Sequence, residues 1–316
     1  MRKILIIKTG FTEFLDRGIS TTVSLGDVLI CTSLLRLYES DHVTWVVASQ
    51  AYRLLKDNPH IHELMVFGTE TFRALRERSY DIIINLEKDI GICVYLNQIQ
   101  AKKRIGFFFD DDIHDITVSK PSARYLLSGQ ENQSDIEKNA FEILFETVDC
   151  QWDGLGAILQ RPQRKDVVYD LGFNFSVGSK WPTKAWSMDQ WKKLEELLGD
   201  RFSISWQHGF DDIDQYIDWM DSCRVIVTCD SLGQILAQAL GKDVVTLYGA
   251  TNYKRMERVP GITLVQSPSQ CPHRPCYLPI CKHDQFCMDE ITPESVMKAC
   301  LKILKEQESP ISSTDF

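Results

Sequence analysis

Carboxylates stand at two points of the sequence where a strand would give way to a helix. Gly26-Asp27 precedes an apolar stretch that begins at Val28, and Asp230 follows the apolar run Val225–Cys229. Ligands of open α/β sheets bind at the carboxyl ends of the strands, which makes both carboxylates candidates for a site. A carboxylate at Asp27 can act as a general base on a hydroxyl group. Aspartate is also a common helix N-cap, and that alternative stays open.

Phosphate-binding chemistry is available in two loops of the second half of the sequence. Lysine ammonium groups and the free N–H groups of a helix N-terminus both attract phosphate. One loop connects a predicted strand to a predicted helix and carries lysines and hydroxyls, and the other follows Asp230. A solvated loop remains the alternative for the lysines. The residues predicted to bind a phosphate-bearing ligand are Ser179, Lys180, Lys184, Asp230, Ser231, Leu232 and Gly233.

Four cysteines fall within 17 residues, at Cys271, Cys276, Cys281 and Cys287. So short a loop has little core of its own, and tetrathiolate coordination of Zn, or of Fe, would hold it together. His273 and His283 are substitute ligands. Four thiolates leave no open position, which predicts a structural metal rather than a catalytic one. Disulfides are the alternative, and a reducing cytosol disfavours them.

Short apolar runs alternate with amphipathic segments along the chain, which predicts parallel, doubly wound α/β sheets. The alternation breaks at residues 110–135, where Asp110-Asp111-Asp112 predicts a surface loop, and restarts after an irregular stretch at 150–166. This predicts an N-terminal domain at 1–160 and a C-terminal domain at 161–316 that carries the cysteine-rich loop 271–287. The predicted strands are 3–7, 43–47, 63–67, 81–86, 104–107, one within 167–175, 202–206, 225–228 and 244–248.

Composition narrows the class of protein. A chain of 316 residues suits two domains, and a hydrophobic fraction of 44% with 25% charged residues is typical of a globular protein. The net charge of −9 argues against a nucleic-acid-binding protein, including one built on zinc. No apolar run approaches the ~18 residues of a membrane helix, and the first residues lack the apolar stretch of a signal peptide. We therefore expect a cytoplasmic protein.

The order and spacing of several motifs resemble those of glycosyltransferase family 9, the ADP-heptose:lipopolysaccharide heptosyltransferase family. The resemblance runs over most of residues 1–300. It rests on Lys3–Lys8, Ser24–Leu29, Asn58-Pro59, Tyr80-Asp81, Lys103–Phe107, Lys180–Lys184 with Trp186, Asp230–Gly233, Leu247–Gly249 and Cys287-Met288 with Pro293-Glu294.

That resemblance implies a GT-B fold, with two Rossmann-like doubly wound domains facing a central cleft. It also implies an inverting, metal-independent transfer from a nucleotide-diphospho-sugar, with ADP-heptose favoured, to a glycan such as lipopolysaccharide core. By position, Asp27 matches the catalytic base and Lys184 the lysine that binds the donor diphosphate. Asp230 matches the aspartate near the donor sugar. Ser231–Gly233 match the phosphate-binding amides, and Ser179 lies where the family has a hydroxyl at the diphosphate.

Three features depart from the better-known heptosyltransferases. The loop Gly10–Val23 is long, and Ile235 stands where family members often have a histidine. The cysteine cluster resembles that of a subset which includes autotransporter heptosyltransferases with an iron-binding finger, at a different spacing. A lipid-linked acceptor would place the protein at the inner membrane as a peripheral protein.

Three alternatives are compatible with the sequence. One is the same fold acting on a protein acceptor or with a UDP- or GDP-linked donor. Another is a nucleotide-sugar epimerase, which shares the two-domain build and needs no acceptor. A third, of another class, is a non-catalytic interaction module whose cysteine-rich loop is the point of contact.

Overall fold

The computed structural model describes residues 1–13, 22–120, 137–161, 163–208, 211–283 and 286–308. The chain divides into two compact units. Unit 1 comprises Met1–Gln163 and Lys254–Pro260, and unit 2 comprises Arg164–Tyr253 and the chain from Gly261 onward. Two parts of the sequence analysis, most of the long loop after Gly10 and the polar stretch 121–135, lie outside the described residues.

The short segment Lys254–Pro260 belongs to unit 1, whereas the sequence analysis counts it with the second domain. Asn139 donates a hydrogen bond to the carbonyl of Glu257 at 3.1 Å. The guanidinium of Arg258 lies 2.9 Å from the carboxylate of Glu142. These contacts with residues more than 100 positions away join the segment to unit 1, and local sequence carries no sign of them.

Unit 1 is built on a sheet in the order β3-β2-β1-β4-β5-β6. Strands β1 to β5 pair in parallel, as predicted, and β1 lies between β2 and β4. Its elements are β1 (Lys3–Ile7), α1 (Leu25–Cys31), β2 (His42–Val47), α2 (Tyr52–Leu55), β3 (Glu63–Val66), α3 (Thr69–Arg76), β4 (Ser79–Asn85), α4 (Ile90–Asn97), β5 (Gln100–Asp110), β6 (Asp115–Val118) and α5 (Ala140–Thr147).

The edge of this sheet differs from the prediction of a surface loop from Asp110. Strand β5 extends to Asp110, and β6 pairs with it in the antiparallel direction, with Phe107 opposite Val118. A tight turn with a left-handed residue, His114, joins the two strands. The charged residues therefore belong to a hairpin at the edge of the sheet, where one face meets water.

Unit 2 carries a parallel sheet in the order β11-β10-β9-β7-β8. Strand β11 is absent from the sequence-based prediction; the other strands were predicted. The elements are β7 (Tyr169–Asn174), α6 (Met188–Leu198), β8 (Ile204–Trp206), α7 (Ile213–Asp221), β9 (Cys223–Cys229), α8 (Leu232–Ala239), β10 (Asp243–Tyr248), β11 (Ile262–Gln266) and α9 (Pro293–Glu308).

Each sheet has a point at which the strand order reverses. In unit 1 the chain builds outward on one side of β1 and then continues on the other side with β4. In unit 2 the corresponding neighbours are β7 and β9, because β8 lies on one side and β10 on the other. Diverging loops leave a crevice at the carboxyl ends of such strands, which is where ligands bind in open α/β sheets.

Aromatic packing fixes the connection between β7 and α6. The rings of Trp186 and Trp191 meet edge to face with centroids 5.0 Å apart, and Phe173 lies 5.3 Å from both Trp191 and Trp206. Trp186 and Trp191 are buried, which makes them core residues rather than a ligand platform. Across the part of the chain that the structure describes, no helix is both long and apolar enough to span a bilayer.

Candidate active site

The structure brings Lys184 and Asp230 together at the switch point of unit 2. Lys184 ends the 3-10 turn Pro182–Lys184 in the loop after β7, and Asp230 directly follows β9. The Nζ atom of Lys184 lies 3.0 Å from Oδ2 of Asp230, and the two side chains are 15% and 22% exposed. Two of the predicted site residues thus form an ion pair that stays accessible from solvent.

Asn174, the last residue of β7, ties this edge of the sheet together. Its amide nitrogen donates to the hydroxyls of Thr228 at 2.7 Å and Ser231 at 3.3 Å. Its amide oxygen accepts from the hydroxyl of Tyr216 at 2.8 Å. Asn174 is fully buried, and it was not predicted from the sequence as a site residue. The available signal was a polar residue at the carboxyl end of an apolar strand.

Ser231 is the N-cap of α8, and its hydroxyl accepts from the backbone N–H of Gly233. That N–H group therefore donates to Ser231, although the sequence predicts that it is free to bind a phosphate. A side chain at Gly233 is excluded: a Cβ atom there would lie 2.1 Å from the amide nitrogen of Asn174. Glycine lets the start of α8 approach the end of β7.

The loop that carries Lys184 is fixed at both sides. The hydroxyl of Thr183 donates to the carbonyl of Leu278 in the cysteine-rich loop, and the indole of Trp186 donates to the carbonyl of Ile291 at 3.0 Å. Lys180 lies over the ring of Trp181, 5.4 Å from its centroid. Ser179 is exposed in the preceding turn. The structure therefore places Lys184 at the ion pair, with Lys180 and Ser179 in the loop that leads to it.

The cysteine-rich loop 271–287 packs against the small-residue loop after β10. Arg274 donates to the carbonyl of Gly249 at 2.8 Å, and the N–H of Cys276 donates to the carbonyl of Ala250 at 2.9 Å. A Cβ atom at Gly249 would lie 3.0 Å from Sγ of Cys287, the last residue of the cysteine-rich loop, so the two loops are in close contact. The cysteine-rich loop thus supports the carboxyl edge of the sheet.

All four cysteines of this loop are free thiols. Burial raises the pKa of Cys287 to about 11, Arg274 opposes that shift, and the other three thiols add to it. Among the described residues, no group of three or more histidine, cysteine or acidic side chains is arranged to hold a metal ion. Zn or Fe binding by Cys271, Cys276, Cys281 and Cys287 stays a prediction, which the metal content of the purified protein will decide.

Asp27 belongs to unit 1 and lies in the first turn of α1. Ser24 is the N-cap of that helix, so the alternative that Asp27 is the cap is wrong. The hydroxyl of Ser24 lies 3.0 Å from Oδ2 of Asp27 and donates to it. The residue is 8% exposed, which leaves a carboxylate held in one place near the carboxyl end of β1.

Solved structures with the same fold are found over nearly the whole chain. A glycosyltransferase family 9 protein from Veillonella parvula matches with a TM-score of 0.66 at 17% identity, covering 96% of this chain and 97% of that one. ADP-heptose lipopolysaccharide heptosyltransferase II from E. coli matches with a TM-score of 0.65 at 16% identity, covering 98% and 100%. The chain has the fold of glycosyltransferase family 9. The two Rossmann-like domains of the GT-B architecture, predicted from the sequence, are confirmed.

More distant members of the family 9 fold include the iron-containing dodecameric glycosyltransferase TibC from enterotoxigenic E. coli. It matches with a TM-score of 0.57 at 10% identity, covering 98% of this chain and 77% of that one. No protein-family model matches the sequence, and no curated protein matches it. At these identities the likeness establishes the fold.

Proposed function

We propose that the protein is an inverting, metal-independent glycosyltransferase. Its donor is a nucleotide-diphospho-sugar, with ADP-heptose favoured, and its acceptor is a hydroxyl of a glycan such as lipopolysaccharide core. The observation that carries this proposal is the Lys184–Asp230 ion pair at the switch point of unit 2. The family 9 fold supports it.

On the donor side, Lys184 supplies the positive charge for the diphosphate. An ammonium group has three N–H donors, so one can remain with Asp230 while others reach phosphate oxygens. The N-terminus of α8 adds its partial positive charge beside Asp230. Because the diphosphate gains negative charge as it leaves, a cation fixed before the reaction lowers the barrier. Asp230 orients that cation and lies where the donor sugar would bind.

On the acceptor side, Asp27 acts as the general base. The oxygen of the acceptor hydroxyl attacks the anomeric carbon. The proton of that hydroxyl passes to the Asp27 carboxylate. The bond from the anomeric carbon to the diphosphate oxygen breaks, and the electron pair leaves with the nucleoside diphosphate. A single displacement inverts the anomeric centre through an oxocarbenium-like transition state.

The choice of donor draws on the solved structures of this fold. One E. coli heptosyltransferase, WaaC, was solved with ADP and with ADP-2-deoxy-2-fluoro heptose. Because this chain has the same fold, we infer that its donor is also linked to ADP. Ile235 is buried and apolar, so this position offers no hydrogen bond to a sugar hydroxyl. Binding of a heptose-like sugar by this chain therefore requires hydrogen bonds from residues other than Ile235.

The proposal is tested by acceptor-dependent release of nucleoside diphosphate. Purified protein is incubated with ADP-heptose, UDP-sugars or GDP-sugars and with heptose-deficient lipopolysaccharide core. We expect release to require the acceptor, and Asp27→Asn to lower kcat about 100-fold or more, the usual contribution of a general base. Lys184→Ala should lower kcat/KM by a similar factor, whereas Lys193→Ala, a matched exposed lysine on α6, should leave the rate unchanged.

The same assay separates the alternatives. An epimerase would convert the sugar of the donor without any acceptor and without release of the diphosphate. An interaction module would show no turnover, and its binding would depend on the cysteine-rich loop. Wild-type rates in both Asp27→Asn and Lys184→Ala would contradict the proposal.

A further inference from the structure

Glu87, two residues after the end of β4, is the centre of a buried network at the switch point of unit 1. Its side chain is fully buried. One carboxylate oxygen accepts from the backbone N–H of Gly10 at 2.8 Å. The other accepts from the backbone N–H of Thr12 at 3.0 Å and from the Thr12 hydroxyl. Glu87 therefore holds the first residues of the long loop that follows β1.

Lys8 provides the counter-charge for this carboxylate. Its side chain is fully buried, and Nζ lies 3.3 Å from Oε1 of Glu87 and 2.5 Å from the carbonyl of Thr12. Burial alone would lower the pKa of Lys8, but the carboxylates of Glu87 and Asp27 outweigh burial and raise it. The ammonium group thus stays charged beside the carboxylate of Glu87.

A chain of hydrogen bonds leads from Glu87 to Asp27. Glu87 holds the N–H of Gly10, and the carbonyl of Gly10 accepts from the N–H of Ser24 at 2.8 Å. The hydroxyl of Ser24 then donates to Asp27. Gly10 has a φ of +94°, and a Cβ atom there would lie 2.7 Å from a methyl group of Val23, so the loop closes tightly at this residue.

We propose that Glu87 is a positioning residue for the general base. It fixes Gly10, Gly10 fixes Ser24, and the hydroxyl of Ser24 fixes the orientation of the Asp27 carboxylate. This inference rests on the proposed function of Asp27. Only a carboxylate suits the position, because an amide group would turn its NH₂ toward the N–H of Gly10 or of Thr12, and two donors repel each other.

The test is the kinetics of Glu87→Gln in the full-length protein. We expect kcat to fall about 10-fold or more while the KM for the nucleotide-sugar stays unchanged, because the donor residues lie in unit 2. Ser24→Ala should show the same split between kcat and KM, and Ser24→Thr should restore the rate through its hydroxyl. Asp41→Asn is the matched control, a buried carboxylate of unit 1 that pairs with Arg2 at 2.6 Å and should keep the wild-type kcat.

A double-mutant cycle isolates the coupling. If Glu87 acts through the base, Glu87→Gln causes no further fall in kcat when Asp27→Asn is already present. If Glu87→Gln lowers kcat by the same factor in the wild-type protein and in Asp27→Asn, the inference is overturned. Wild-type kcat in both Glu87→Gln and Ser24→Ala would also overturn it. If Glu87→Gln fails to fold, Glu87→Asp, which keeps the charge and shortens the side chain, takes its place in the same cycle. Wild-type activity in Asp27→Asn would instead overturn the proposed function, and the inference with it.

Discussion

At the scale of single residues, the Lys184–Asp230 pair matters for position more than for stability. Partly exposed ion pairs contribute only about 0–1 kcal/mol to the free energy of unfolding, because water screens them. The pair instead holds the flexible side chain of Lys184 beside Asp230, where the diphosphate of the proposed donor would share its N–H groups. Without Lys184, Asp230 would repel the two phosphates.

Gly233→Ala tests the close approach of α8 to β7. The added methyl group would collide with Asn174 and lie 2.8 Å from the hydroxyl of Tyr216. Both neighbours are buried, so we expect the free energy of unfolding to fall by about 1–3 kcal/mol and nucleotide affinity to fall with it. Urea unfolding and calorimetric titration measure the two effects. Gly68→Ala, where a Cβ atom meets nothing within 4 Å, is the control; equal values for both variants would contradict this account.

The sequence brought Lys184 and Asp230 forward as candidates, because each stands in a loop that follows an apolar strand, and the resemblance to glycosyltransferase family 9 assigned their roles, which stay predictions. The sequence was insufficient for Asn174 and Glu87. Asn174 bonds to a residue 57 positions away, and Glu87 to one 77 positions away. A polar residue at a strand end can be noticed in a sequence, but its partner is set by which strands become neighbours.

At the scale of elements, the central strands β1, β2, β9 and β10 were predictable because each is largely apolar and buried. Strand β6 was not, since its residues read Asp-Ile-Thr-Val directly after a charged turn. Strand β11 lies at the edge of its sheet and is only half-buried, which weakens its apolar pattern. Edge strands therefore account for the elements that the pattern missed.

Asp221, at the end of α7, links the first residues of unit 2 to the start of β10. It is buried and pairs with Arg164 at 2.8 Å and with Lys242 at 3.2 Å. Burial alone would raise the pKa of Asp221, but hydrogen bonds from Arg164, the Lys165 N–H and Lys242 lower it below the ordinary value of an aspartate. A lowered carboxyl pKa means that this stabilisation is complete above that ordinary value and is lost as the pH falls further.

Asp221→Asn should therefore destabilise the protein by about 3 kcal/mol at neutral pH, the effect of breaking a buried pair. The difference from wild type should shrink as the pH falls below the ordinary pKa of an aspartate, about 3.9. Urea unfolding across that range measures it, with exposed Asp211→Asn as the control. A difference that is absent at neutral pH, or that grows in acid, would contradict the assignment.

At the scale of the whole molecule, each unit is a doubly wound sheet with candidate site residues at its own switch point. Unit 2 offers a cation and a helix N-terminus, which suit a diphosphate. Unit 1 offers a held carboxylate, which suits a hydroxyl. The chain carries a net charge of −9, so attraction for an anionic donor has to come from local groups such as Lys184 rather than from overall charge.

The most direct test of the central claim is calorimetric titration of the full-length protein with ADP, UDP and GDP. The account predicts one site per chain for a nucleoside diphosphate, with ADP bound tightest. It further predicts that Lys184→Ala weakens binding at least about 10-fold while Lys193→Ala binds as wild type, since charge-assisted hydrogen bonds contribute about 1.5–3 kcal/mol each. Tight binding of UDP or GDP alone would agree with a glycosyltransferase but would contradict an ADP-linked donor. Binding of none of the three, or binding that Lys184→Ala leaves unchanged, would contradict the account.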